Sequence, residues 1–299
     1  MESKQNPAIF LVGFSFHVMM YRFVVLFLFI PLFSISQNDL LDEIDTDSVP
    51  NRVDAVFKSL KIVNLESTKL VAKKGLLFNV SHRFGSVENG FDTFFGLDDA
   101  VTRIQFIYGI SEDFNIGISR SSYQKIYEGS VKYRLVRQSE KMPFTIVGFN
   151  SVMINTAMEK VNLPKLKFKH RLSYATQILL SRKFNESLSM EVAPTFFHDN
   201  YVAYKPQNNA QFAMGLGGRY KLGKRWSVNV DYAFHLNRAE GSPYNNPLSV
   251  GIDLETGGHV FQMHFTNAQP MNINGFLGQA SGDWSTGTIF FGFNLTRSF

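Results

Sequence analysis

Ten charged side chains recur at alternate positions within runs of apolar and small polar residues: Arg83, Arg103, Lys132, Arg134, Glu191, Arg219, Lys221, Asp231, Asp253 and Glu255. Residues two apart on a β-strand share a face, so these groups project to one side among Ser, Asn, Gln, Gly and Ala. Two kinds of chemistry suit such a face. Rings of charge around a polar channel select solutes. In a filled interior the same groups serve as mutually neutralising pairs, because unpaired buried charge is costly. The alternation is compatible with either.

A second cluster lies in HRFGSVENGFDTFFGLDD, His82 to Asp99, which packs phenylalanines, glycines and acids between two alternating segments. Phe91, Phe94 and Phe95 suit an interfacial aromatic girdle, with Gly85, Gly90 and Gly96 supplying positive-φ turns. The sharper expectation is a constriction loop of Asp92, Phe94, Phe95, Asp98 and Asp99 that folds inward, its acids meeting Arg83 and Arg103.

Enzyme chemistry has weaker support. His235 and His264 share the face of the charges, whereas His82 and His259 take the opposite phase. A hydrolase needs nucleophile, base and orienter brought together, and no Ser-His-Asp spacing singles itself out. His198 and Asp199 are adjacent, so on a strand they point to opposite faces. Two inward histidines can hold a metal, but lumen histidines are more often hydrogen-bonded filler. No phosphate-loop or dinucleotide fingerprint follows a strand, so no cofactor, metal or catalytic role is expected.

The elements that must position these residues have period two. From Arg225 to Arg238, Trp226, Val228, Val230, Tyr232, Phe234 and Leu236 alternate with Ser227, Asn229, Asp231, Ala233, His235 and Asn237. About twelve such stretches occur, each near the roughly 10 residues a tilted membrane strand needs. They span 75–84, 100–110, 113–122, 126–137, 143–155, 169–184, 187–198, 210–222, 225–238, 247–256, 258–266 and 284–297. A soluble sandwich also alternates, so the connections decide. Those after even strands are short and those after odd strands mostly long, the pattern of periplasmic turns and extracellular loops. An even strand number also leaves both termini in the periplasm. The expected fold is therefore all-β: a transmembrane antiparallel up-and-down β-barrel of about twelve strands, residues 75–299.

Composition agrees with that class. Aromatics make 14% of the 299 residues, charged residues 18%, and cysteine is absent. This is too aromatic for a disordered chain and too polar for a helical membrane protein. The formal net charge of +5 is spread without dense basic clusters, which disfavours nucleic acid as a partner. At the N-terminus, Arg22 precedes the apolar run Phe23 to Phe33, and Ser34-Ile35-Ser36 follows, the design of a signal peptide cleaved after Ser36. The alternative is one uncleaved anchor over Phe10 to Ile35. Residues 1–36 are read as an upstream extension plus signal peptide. Residues 37–74 are read as a periplasmic N-terminal linker in which Val53, Val56, Phe57 and Leu60 allow a short helix closing the barrel's lower mouth. The last strand ends on Phe299, which is similar to the signal by which the barrel assembly machinery recognises its substrates.

HRFG (82–85), FFGLDDA (94–100), Tyr108-Gly109-Ile110, SRSSYQK (119–125) and VKYRLVRQ (131–138) resemble the hallmark run of an uncharacterised Bacteroidota family of outer-membrane β-barrels, a domain of unknown function. The resemblance is densest over 75–140. It implies the same fold and an outer-membrane location among lipid, and it implies no activity. The functional expectation is a passive or gated channel for small solutes. The alternative is a closed structural or interaction barrel that binds a partner through long loops, 267–283 and 156–168 above all.

Overall fold

The computed structural model describes residues 55–299. The expected signal peptide at 1–36, its cleavage after Ser36 and the acidic linker at 39–47 lie outside the described residues.

Twelve strands follow one another in chain order: β1 Leu76–Ser86, β2 Ala100–Ser111, β3 Phe114–Ser121, β4 Ile126–Val136, β5 Thr145–Asn155, β6 Leu172–Lys183, β7 Leu188–Asp199, β8 Ala210–Lys221, β9 Trp226–His235, β10 Leu248–Thr256, β11 His259–Thr266 and β12 Phe290–Ser298. Each pairs antiparallel with its neighbours and β1 pairs with β12, so the sheet closes on itself. Closure leaves no strand edge unpaired, which a hydrocarbon environment requires of backbone groups. The expected stretches match within a few residues, save that β12 begins at Phe290 rather than 284, because Gly282 and Gly287 belong to the preceding loop.

Burial alternates along every strand. In β7, Ser189, Glu191, Ala193, Thr195, Phe197 and Asp199 turn inward while Met190, Val192 and Phe196 are exposed. The outward face is apolar around the barrel, with Ile104, Phe106, Ile118, Val152, Ile178 and Ile252 among its exposed side chains. Aromatics band it at both ends. Phe84 stacks on Phe291 and Phe265 meets Phe291 at a tilt across β1, β12 and β11 at the long-loop end, and Trp226, Tyr220, Phe184 and Phe299 stand at the short-turn end. Such girdles sit where hydrocarbon meets headgroups.

The interior is less uniformly polar than the alternation suggested. On β5 to β9, Val147, Phe149, Met153, Leu179, Phe197 and four alanines form an inward apolar sector. A six-residue helix, α1 (Ile273–Gly278), packs into it. The β11–β12 connection thus turns into the barrel: Ala268, Met271, Phe276, Leu277 and Ala280 are all buried. This corrects the expectation that 267–283 reaches outward to a partner; a loop carrying that much apolar surface is stabilised by entering. The β5–β6 connection stays outside, with Val161 and Phe168 exposed.

The stretch expected as a periplasmic linker is also corrected over its described part. Residues 56–71 contain no helix and, apart from Lys58 and Lys69, are buried inside the barrel. They form a hairpin-like excursion in which Lys61 bridges Glu66, Ile62 N–H donates to Leu65 O at 2.9 Å and Ser67 N–H to Leu60 O at 2.8 Å.

Candidate functional site

The site is the meeting of that hairpin with the strand residues around it. The hairpin starts at the short-turn end, where Lys58 lies 3.9 Å from Glu255. Its tip, Val63 to Leu65, reaches Asp231 on β9, whose Oδ2 accepts three successive backbone N–H groups at 3.1, 2.6 and 2.9 Å. Three converging peptide dipoles form a nest that an anion fills, so one carboxylate satisfies the donors that a tight turn leaves over. The chain then descends. Thr68 N–H donates to Glu191 Oε2 at 3.1 Å, and the Asn115 amide exchanges two bonds with the Val71 backbone at 2.8 and 3.0 Å. At the exit Gly109 is required: a Cβ there would lie 2.0 Å from the Ala72 carbonyl oxygen. Entry and exit are thus at one mouth.

The hairpin brings charge of its own. Glu66 pairs with Lys61 and Lys132, each at 2.8 Å, and Lys132 also donates to Leu60 O and Ser67 O. Burial by itself raises the Glu66 carboxyl, and the two facing ammoniums more than reverse this, taking it down to about 2. Burial pulls the Lys61 ammonium below its ordinary value, against the attraction of Glu66.

All ten charged positions singled out by phase lie on strands, and ion pairs neutralise five of them, Arg103, Lys132, Arg134, Arg219 and Glu255. Arg103 pairs with Glu128 at 2.6 Å, Arg219 with Glu255, and Arg134 with Asp113 at 3.1 Å. Arg83 donates to Asn64 Oδ1 at 2.7 Å on the hairpin and to Asn294 Oδ1 at 3.2 Å. Asp253 accepts from Gln262, whose amide also reaches Ile62 O at 3.0 Å. Lys221 is half-buried at the short-turn end. Of the ten, Asp231, Glu191, Lys132, Arg83 and Glu255 touch the hairpin directly.

The constriction loop is not where the sharper expectation put it. Residues Gly90–Gly96 make 3₁₀ turns outside the barrel. Asp92, Asp98, Asp99, Phe94 and Phe95 are exposed, and Arg83 and Arg103 take their partners from the hairpin, from β4 and β12, and from Met271 O of the inward loop. The hairpin and the inward β11–β12 connection already partner both arginines, so the loop's acids are not needed there. Gly90 and Gly96 adopt positive φ as expected, but Gly85 does not; Phe94 and Phe95 do instead, at 45° and 56°. Phe91 and Phe95 meet edge to face at 4.8 Å.

His235 and His264 do face inward, and His82 and His259 outward. The ring nitrogens of the inward pair have no hydrogen-bond partner among the described residues, and His235 lies against Phe197, centroids 5.5 Å apart. Phe299 ends the chain at the short-turn end, its N–H donating to Leu76 O at 2.8 Å, with Arg297 over its ring at 4.6 Å.

Several site residues escaped the sequence reading. Glu128 shares the phase of Lys132 in β4 and was legible by that signal. Lys61, Asn64 and Glu66 were not: the tip Ile62-Val63-Asn64-Leu65 has no Gly or Pro to announce a turn, and it is shaped by a carboxylate 166 to 168 residues away.

Over residues 57–299 the sequence matches the family model described as "Membrane bound beta barrel domain (DUF5777)". No curated protein matches it. Among solved structures, the NanC porin is similar with a TM-score of 0.47 and 10% identity, over 75% of this chain and 98% of that one. The KdgM porin follows at 0.46 and 8%, over 75% and 99%. An outer membrane channel from Pseudomonas putida F1 stands at 0.43 and 10%, over 77% and 97%. These are likenesses of fold alone.

Proposed function

The chain belongs to the family of membrane bound beta barrel domains, and from that premise we propose that it is a gated conduit for small solutes across the outer membrane, held shut by its own N-terminal hairpin. The observation that carries this reading is the hairpin's path. It enters and leaves at one mouth, between Lys58 beside Glu255 and Lys74 beside Gly109, so it can withdraw without threading. Its polar attachments include hydrogen bonds to Asp231, Glu191, Asn115 and Arg83 and the Glu66–Lys132 ion pair, and its Leu60, Leu65, Leu70 and Val71 are buried against the wall. Water can replace each polar attachment when the hairpin leaves, so the net loss of those bonds is far below their gross strength, and exposure of the hairpin's apolar residues is the main cost that keeps the gate shut. The vacated wall would present Arg83, Lys132, Glu191 and Asp231 to a solute. Short turns face the periplasm in this reading, and the protein works without catalysis.

The inward β11–β12 connection favours a second reading, a permanently closed structural barrel. Phe276 and Leu277 are wholly buried among strand side chains, and such packing does not exchange with water.

Planar-bilayer recordings separate the two. The chain from residue 37 onward, refolded in detergent, is compared with its Asp231→Asn variant. Rare, brief openings in the parent and frequent ohmic steps in the variant are the expected result. Silence from both, with heat-modifiable folding intact, would overturn the conduit and leave the closed barrel.

A further inference from the structure

A cavity of about 290 Å³ opens at the long-loop end. No residue of the hairpin lines it, and nothing in the gate uses it. Its volume falls at the low end for small-molecule sites, enough for one or two sugar rings.

Its wall is built from several connections. Tyr201, Tyr204 and Gln207 come from the β7–β8 loop, Tyr244 from the β9–β10 loop, and Gln279 from just after α1. Part of the wall is fixed in advance. The Gln207 amide donates to Asn237 O at 3.1 Å and accepts from Ala239 N–H at 2.8 Å, while the Tyr204 hydroxyl donates to Glu240 O at 2.8 Å. The floor is Asp199, only 8% exposed, whose carboxylate accepts from Asn274 at 2.8 Å and from Gln211 at 3.2 Å. By contrast, the Gln279 amide and the Tyr201 and Tyr244 hydroxyls hydrogen-bond to no other described residue.

No lysine or arginine lines the cavity, and its one carboxylate is already hydrogen-bonded. An anion would therefore meet no compensating charge and would face Asp199. Free hydroxyls and an amide, each able to donate and accept, match groups that do both. Tyrosine rings offer flat apolar faces with a polar tip, which suit the C–H face of a pyranose. The smaller adjoining recess does carry Arg171, but its guanidinium is engaged with Asn155 O at 3.2 Å.

We infer that this cavity is a binding site for a neutral polyhydroxylated ligand of one or two sugar rings, received by Tyr201, Tyr244 and Gln279 above Asp199. The inference requires only the barrel and its loops, so it stands or falls independently of the gate.

The test is saturation-transfer NMR on the refolded chain in a detergent without a sugar headgroup. The probes are a panel of neutral sugars (glucose, galactose, mannose, maltose, cellobiose and lactose) with galacturonate as the anionic comparison. Saturable transfer to at least one neutral sugar is expected, with galacturonate at least tenfold weaker. A Tyr201→Ala/Gln279→Ala double variant should weaken the bound sugar at least tenfold while heat-modifiability stays unchanged. These side chains touch the cavity rather than the barrel's core, so the fold should persist; Tyr244→Phe offers a milder second variant. No transfer to any neutral sugar, or transfer that both variants leave intact, would overturn the assignment. Bilayer conductance is not an outcome here, so a silent barrel that binds sugar still supports the site.

Discussion

Residues 56–71 and residues 267–280 both occupy the lumen, from opposite ends, yet different forces hold them. The hairpin is tied to strand side chains by charge-assisted hydrogen bonds, Asp231 to three peptide N–H groups, Glu66 to Lys132 and Glu191 to Thr68, and its Leu65 and Leu70 also pack into the apolar sector. The β11–β12 connection is tied by Ile273, Phe276 and Leu277 set among Ala193, Phe197, Ala213 and Ala233. Polar attachments exchange with water at small net cost, while close-packed apolar contacts lose their partners outright when separated. In the gated reading the hairpin, whose turn is held by polar ties, is the displaceable filling and the β11–β12 connection the permanent one.

The largest effect should come from the permanent filling. Phe276→Ala removes a fully buried ring and should destabilise the barrel by about 3–5 kcal/mol, read as a lower heat-modification temperature on gels. An equal loss from removing the hairpin would erase the contrast between the two regions.

Next, Asp231→Ala leaves the Val63, Asn64 and Leu65 N–H groups without their acceptor, a loss of roughly 2–3 kcal/mol. Limited proteolysis should then cut within 56–71 at least tenfold faster, with the barrel's heat-modification temperature little changed. Collapse of the whole barrel instead would make the hairpin as permanent as α1.

Acid should loosen the hairpin in a defined window. Glu66 is held from an ordinary 4.5 down to about 2. A depressed carboxyl contributes stability that is complete above its unfolded value and is lost as pH falls through the folded one. Hairpin protection should therefore decline between about pH 4.5 and 2, measured as pepsin cleavage normalised to a free peptide of the same sequence. Glu66→Gln should abolish that dependence; a parent with flat protection across the window would deny Glu66 the role.

The smallest effect belongs to a surface pair. Arg137→Ala breaks a 2.7 Å contact with a half-exposed Asp113 at a short turn. Like most exposed pairs it should change stability by under about 1 kcal/mol and leave hairpin protection untouched.

Most of the frame was legible because strand alternation is a local code. The twelve strands, their order and the inward phase of Arg83, Arg103, Glu191, Asp231 and Asp253 all follow from period two, and so do the contrasting connection lengths. Strand ends drifted where a turn residue was read as strand, as at Gly287 before Phe290. What fills the lumen was not legible. Residues 56–71 present Val56, Phe57 and Leu60 at helical spacing, yet they fold as a hairpin because Asp231, far along the chain, supplies the acceptor their turn lacks. The loop 267–283 reads as another long surface connection, yet it is drawn inward by an apolar sector assembled from β5 to β9. The sequence by itself determined the closed wall and which side chains face in, because hydrogen-bonded neighbours and period two are properties of adjacent residues. Only the tertiary structure decided that this inward face is partly neutralised and occupied, because each partner is brought there by barrel closure across a separation no local pattern encodes.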